Sequence, residues 1–253
     1  MRPLAVDLYC GLGGWSTGLI AEGWDVIGFD IEQHAYDGER YPGMLVLQDV
    51  RTIHGSQFKD ADLIVGSSPC QEFSYRAMPW RRAKALGPPL LGIELFEAQF
   101  RIQREACEAA GRHIPMIVEN VRGAQPWVGR APWNYGSYYL WGDIPAIMPV
   151  SGIDGVKVKA FRFDGSGRSF QSASVNEHIL TGRRTAPGKG ARFTSRDCGV
   201  ESRWFNDGPR SPDSISSSSS SSPVRKAASA RIAKIPEPLA RWIGRVYHPD
   251  YNR

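Results

Sequence analysis

Residues 66–74, GSSPCQEFS, follow the apolar run DLIV at 62–65 and put a cysteine, Cys70, directly behind a proline, Pro69. A short apolar run ending in Gly-Ser-Ser-Pro reads as a strand passing into a loop. A thiol at such a point is either an inert buried group or a nucleophile presented at the carboxyl end of a strand, reactive as its thiolate. A second stretch with chemical potential is DLYCGLGG at 7–14, where Gly11, Gly13 and Gly14 fall between an apolar run and a helical one. Glycines there let the backbone turn sharply and approach a ligand, and the helix start offers N–H donors. Asp30 closes the next apolar run and can accept hydrogen bonds from ribose hydroxyls. Together these residues fit a dinucleotide or S-adenosylmethionine. The strict dinucleotide fingerprint wants a glycine at position 16, where this chain has Ser16.

These side chains need a frame. PLAVDLY (3–9) reads as a strand and WSTGLIAEG (15–23) as a helix. WDVIGFD (24–30) follows as a strand, EQHAYDGERY (32–41) as a helix, and GMLVLQD (43–49) and ADLIVGS (61–67) as strands. Residues 93–111 form a longer helix with Leu95, Phe96, Phe100, Ile102 and Cys107 on an apolar face and Gly111 at its end. MIVEN (116–120) is one more strand. Strands alternating with helices predict an α/β fold, a doubly wound, mostly parallel sheet. IPEPLARWIGRVY (235–247) is a closing helix with Leu239, Trp242, Ile243 and Val246 on one face. The expected organisation is a core at 1–150, a short irregular region at 151–224 containing the low-complexity, flexible segment 208–223, and a return to the core at 225–253.

Composition narrows the classes. With 253 residues, 42% of them hydrophobic, the chain has material for one sizeable domain and a small appendage. Cys10, Cys70, Cys107 and Cys198 show no CxxC spacing, so neither a zinc site nor a disulfide framework is expected. Free thiols suit a reducing, cytoplasmic compartment. The N-terminus enters a strand at once, leaving no room for a signal peptide, and no apolar run has the length of a membrane span. The net charge of +5 is concentrated in stretches that carry Lys and Arg but no acid, RRTAPGKGARFTSR at 183–196 and PVRKAASARIAK at 223–234, with RRAK at 81–84. Such stretches suit phosphate contacts or a solvated basic face.

Five segments then occur in a telling order. DLYCGLGGWSTGL (7–19), GFDIE (28–32), LQDV (47–50), GSSPCQEFS (66–74) and VENVRG (118–123) resemble the ordered core motifs of the DNA cytosine-5 methyltransferases. The resemblance implies a Rossmann-like S-adenosylmethionine-dependent methyltransferase fold, with 151–224 as target-recognition region. It implies S-adenosylmethionine as cofactor, no metal, and double-stranded DNA as partner. By the same resemblance Cys70 adds to C6 of cytosine, which breaks the aromaticity of an electron-poor ring and makes C5 enamine-like. Glu119 relieves the charge this pushes towards N3, and an acid closing an apolar strand is placed for a raised pKa. Tyr9, Gly11, Leu12 and Gly14 surround the methionine and ribose parts of the cofactor. Asp30 serves the ribose, Ile31 packs on adenine, Asp49 accepts from its amino group, and Pro69 adjoins the transferred methyl. Residues 71–92 resemble a loop that closes over flipped DNA, with Arg76, Arg81, Arg82 and Lys84 for phosphates, because the target base is out of reach within a duplex.

The chain also departs from the pattern. The Gln-x-Arg-x-Arg strand that usually follows is absent, and WNYGSYYLWGDIPAIMP at 133–149 stands in its place. Arg130 is the candidate donor to the cytosine O2, with Arg122 second; a surface arginine is the other reading of Arg130. RIAK replaces the usual Gly-Asn-Ser before the closing helix. The expected activity is methylation at C5 of cytosine in DNA. The alternatives are a tRNA cytosine-5 methyltransferase and a catalytically silent DNA-binding relative. Size and the serine-rich segment suit a monomeric phage or mobile-element enzyme in a bacterial or phage-infected cell, with a cognate restriction endonuclease as a possible partner of a restriction-modification system.

Overall fold

The structure is a computed structural model that describes residues 2–73, 88–146, 148, 226–227, 230–231 and 233–251. The chain divides into two compact units, Met1–Gly155 with Lys234–Arg253, and Val156–Ala233. In the second, the described residues 226–227, 230–231 and 233 are helical. Arg76, Arg81, Arg82 and Lys84, expected to meet phosphates, and the stretches 183–196 and 208–223 lie outside the described residues.

The first unit is built on one sheet. Its strands are β1 (Leu4–Leu8), β2 (Asp25–Asp30), β5 (Met44–Leu47), β6 (Leu63–Ser67), β7 (Met116–Asn120), β8 (Trp133–Tyr135) and β9 (Tyr138–Gly142). They lie in the order β5-β2-β1-β6-β7-β9-β8. The first five are mutually parallel, and β9 runs antiparallel to both β7 and β8. The fold is therefore the mostly parallel, Rossmann-like sheet with helices that the sequence predicts. β6 and β7 are almost wholly buried, as expected of central parallel strands covered on both faces.

One predicted element is corrected. Residues 32–41 are not a helix; they hold a hairpin of β3 (Ala35–Tyr36) and β4 (Glu39–Arg40). The turn between them is Asp37-Gly38, both with positive φ (49° and 84°), the backbone of a two-residue hairpin turn that Asp-Gly favours. A second hairpin, β8–β9, turns at Gly136 with φ 59°.

The helices are α1 (Gly14–Ala21), α2 (Leu90–Ala110), α3 (Gln125–Val128) and α4 (Glu237–Tyr247). α2 ends at Gly111 in the left-handed conformation that glycine takes without steric cost. Its buried side includes Phe96, Ile102 and Ala106, within a core shared with Leu8, Ile64, Met116 and Val118. α4 closes the unit against α1 through small residues. A methyl group on Gly18 would lie 2.4 Å from the Ala240 Cβ and 2.7 Å from the Arg241 nitrogen. Trp24 Nε1 donates to the Gly244 carbonyl at 2.9 Å, and Glu22 pairs with Arg241 (2.6 Å) and Arg245 (2.7 Å).

Candidate active site

The strand order creates the site. From β1 the chain winds outward through β2 to β5, then returns to the other side of β1 as β6 and β7. The crevice beyond the carboxyl ends of β1 and β6 is the switch point at which open parallel sheets bind ligands. The glycine turn leaves β1 there, and the Cys70 loop leaves β6.

The turn begins with Tyr9 and Gly11, both at positive φ (57° and 51°). Tyr9 donates its hydroxyl to the Leu95 carbonyl at 2.9 Å, tying the turn to α2. The Gly11 N–H donates to Asp30 Oδ2 at 2.9 Å, and the Glu32 N–H donates to Oδ1 at 3.3 Å. Burial works to raise the Asp30 carboxyl, but His34 and these two N–H groups outweigh it and hold the carboxyl below its ordinary value. Asp30 is thus a fixed carboxylate between the turn and the end of β2. A Cβ at Gly11 would meet no described residue within 4 Å, so among the described residues the space over the turn is open. Gly14 differs: a Cβ there would lie 2.3 Å from the Ile235 nitrogen, so it is glycine because the returning chain packs on it.

Leu12 is buried in the core, whereas Ile31 is 71% exposed. Asp49 caps the turn at Val50–Thr52, accepting from the Arg51 N–H at 2.9 Å and pairing with the Arg51 guanidinium at 2.7 Å. These bonds to Arg51 hold its carboxyl below the ordinary value. An open turn, a fixed carboxylate and a bare apolar side chain suit a nucleoside carrying a small charged group, so the residues fit S-adenosylmethionine.

Ser16, the departure from the dinucleotide fingerprint, has an internal use. Its hydroxyl donates to Asp7 Oδ2 at 2.5 Å and bonds the Tyr41 hydroxyl at 2.7 Å. Asp7 is buried in β1, and burial pushes its carboxyl up to about 7 against the Ser16 hydrogen bonds. A glycine at position 16 would leave that carboxyl without its hydroxyl donor.

Cys70 is half-buried, and Pro69 before it is exposed. The loop is anchored just beyond: Glu72 Oε2 accepts from the Gly92 N–H at 2.6 Å, and Phe73 is fully buried. Methyl groups on Gly92 and Gly123 would meet the Phe73 ring at 3.1 Å and its carbonyl at 2.1 Å. Asn120, at the end of β7, donates to the Ser68 carbonyl (3.1 Å) and hydroxyl (3.0 Å), joining the two strand ends.

Glu119 faces this loop from β7. Its register partners are Ser67 on β6 and Leu140 on β9, and Ser67 donates its hydroxyl to Glu119 Oε2 at 2.5 Å. Burial raises the Glu119 carboxyl to about 7, against the lowering effect of that bond. Burial also raises the Cys70 thiol, to about 11, and the charge of Glu119 adds to the rise. Cys70 and Glu119 are therefore electrostatic neighbours. Arg130 is exposed in the loop before β8 and bonds no described residue. Arg122 is likewise exposed. Sequence reasoning missed Ser67 and Phe73, the first because strand register is not written locally, the second because an aromatic anchor resembles any core residue.

The fold and site define a Rossmann-like α/β protein with a thiol beside a neutral-leaning acid at the switch point of its sheet. Residues 4–82 match the family model described as C-5 cytosine-specific DNA methylase, so the resemblance carried by the motifs holds over that part of the chain. No curated protein matches. Among solved structures, a protein described as a DNA modification methyltransferase encoded within a prophage (E. coli) is 25% identical, with 49% of this chain and 33% of that one covered and a TM-score of 0.35. S. pombe Dnmt2 methyltransferase is 20% identical, with coverage of 49% and 36% and a TM-score of 0.33. Entamoeba histolytica methyltransferase EhMeth is 13% identical, with coverage of 50% and 40% and a TM-score of 0.34. The chain thus spans between a third and two-fifths of the length of these proteins. Among the described residues, no helix is long and apolar enough to cross a membrane, and no cluster of His, Cys, Asp or Glu is arranged to hold a metal.

Proposed function

We propose that the protein is a DNA cytosine-5 methyltransferase that works through a covalent bond between Cys70 and C6 of an extruded cytosine. The observation that carries this reading is the placement of Cys70 in the loop leaving β6 three residues after Ser67, the register partner of the buried Glu119 carboxyl. The Cys70 thiolate adds to C6, and the electron pair released from the C5–C6 bond moves towards N3. Glu119, protonated near neutral pH, gives its proton to N3 and keeps the ring neutral. C5 then carries enamine character. S-adenosylmethionine, when bound, supplies the methyl group as an electrophile. Loss of the C5 proton to a base expels the Cys70 thiolate and restores the ring, and Glu119 recovers its proton from N3. Gly11, Asp30 and Ile31 are assigned to the cofactor's methionine, ribose and adenine, with Asp49 at the adenine amino group and Tyr9, Leu12, Gly14 and Pro69 around them. Arg130 is assigned to the cytosine O2.

The test uses duplexes of varied sequence made with 5-fluorocytosine, because fluorine at C5 blocks the elimination that frees Cys70. With S-adenosylmethionine present, the protein is expected to form a denaturation-resistant adduct, and Cys70→Ala to form none. An adduct that survives Cys70→Ala, or none with the unsubstituted protein, refutes the reading. A parallel arm with 5-fluorocytidine tRNA makes an RNA substrate an explicit outcome.

A further inference from the structure

Glu119 has to satisfy two demands. Its carboxyl must hold a proton near neutral pH, and it must present that proton in one direction. Ser67 and Glu119 are register partners on parallel neighbours, so their side chains leave the same face of the sheet side by side. The Ser67 hydroxyl donates to one carboxyl oxygen, Oε2, at 2.5 Å. The other oxygen, Oε1, remains for the proton. The remaining surroundings contain no described cation that could do this work. On β6 and its loop the facing groups are Ser67 and the Cys70 thiol, while Ser68 is bonded to Asn120. On β9 they are Leu140 and the buried Tyr138 phenol, which is held neutral by burial and by the charge of Glu119. On β7 itself, Asn120 is committed to Ser68 and to its own neighbour Val121. The bond from Ser67 is the one direct hydrogen bond to the Glu119 carboxyl among the described residues.

We propose that Ser67 is a positioning residue for the methyl-transfer reaction, orienting Glu119 so that Oε1 carries the proton towards the ring nitrogen of the substrate base. The inference rests on the methyltransferase reading for its reaction, but the contact itself is testable without turnover. Ser67 stabilises the ionised carboxylate more than the neutral acid, so its hydroxyl lowers the Glu119 pKa that burial raises. Its loss moves that pKa upward. A hydroxyl bonded to a charged group differs from one bonded to a neutral group by enough to give a shift of about one pH unit.

The experiment is a carbon-13 titration of the free protein labelled at glutamate carboxyls, with the Glu119 resonance assigned by its disappearance in Glu119→Gln. The unsubstituted protein is expected to titrate near 7, Ser67→Ala about one unit higher, and Ser67→Thr, which keeps the hydroxyl, close to the original midpoint. A Ser67→Ala midpoint equal to the unsubstituted one, or a Ser67→Thr midpoint equal to that of Ser67→Ala, overturns the proposal. Single-turnover methylation supplies the second readout. In Ser67→Ala the alkaline limb of the pH profile moves up with the titration, and kcat falls about 10-fold at unchanged KM for S-adenosylmethionine, as expected for a misoriented acid. An alkaline limb that stays in place while the titration moves overturns the link to catalysis. A protein that titrates as described but methylates no nucleic acid refutes the methyltransferase reading alone.

Discussion

The coupling between Cys70 and Glu119 can be measured on the free protein by removing the charge of Glu119 while keeping its shape. The Cys70 thiol lies at about 11 against an ordinary value of 9.0, and burial is the larger cause of the rise, with Glu119 second. At pH 8 Glu119 is ionised, since its own carboxyl lies near 7, and only about one Cys70 in a thousand is thiolate. In Glu119→Gln the burial contribution stays and the like charge goes. The share left to Glu119 is less than half of the rise, so the thiol is expected to fall by about 0.5–1 unit. Iodoacetamide alkylation followed by mass spectrometry of the Cys70 peptide reads this directly, with a rate about 3–10-fold higher at pH 8 in the variant. On the proposed mechanism methylation moves the opposite way, since the same substitution removes the acid assigned to N3, a loss of about 10²–10⁴ in single-turnover rate. An alkylation midpoint that is unchanged or higher in Glu119→Gln refutes the electrostatic pairing of the two groups.

Two further substitutions probe the frame and the missing cation. Gly18→Ala places a methyl against Ala240 and the Arg241 backbone, so α4 is pushed from α1, and the chain is expected to lose about 2 kcal/mol and melt roughly 4–8 °C lower. Helix propensity alone predicts a gain from the same change, so a raised Tm would show that the helices can separate without cost. Arg130→Ala is expected to lower kcat by about 10²–10³ with cofactor affinity unchanged, the usual loss for one preorganised donor, and a single-turnover rate equal to that of the unsubstituted protein returns Arg130 to the surface.

What the sequence made legible follows from what is local. The glycine turn at 11–14, the proline before Cys70 and the apolar run into Glu119 are short-range signals, and each sits where the sheet needs it at a carboxyl strand end. The hairpin at 35–40 was also local, but its Asp37-Gly38 signal is embedded in charged residues that read equally well as a helix surface. Contacts between distant segments were not legible. Nothing in Gly66-Ser67-Ser68 announces that Ser67 will stand opposite Glu119, because a one-residue change of register would send its side chain to the other face. Nor does the sequence announce that the returning chain fills the space beside Gly14 and Gly18.

That returning chain bears on how the site is held. Gly14 begins α1 directly after the glycine turn, and the Ile235 backbone fills the space beside it. The Tyr138 hydroxyl, from the strand next to Glu119, donates to the Lys234 carbonyl at 3.2 Å. Residues 234–235 therefore meet the start of α1 at Gly14 and the strand next to Glu119 at Tyr138. The pairing of β1 with β6 and of β6 with β7 holds the turn after β1 beside the Cys70 loop and Glu119, and residues 234–235 add contacts on either side. The α/β sheet sets the directions of these groups, and the C-terminal segment is docked on α1 by the pairs of Glu22 with Arg241 and Arg245. Small residues at 14, 18, 240 and 244 are the means by which so close an approach is possible, so the shape of the crevice depends on glycine and alanine packing between segments far apart in the sequence.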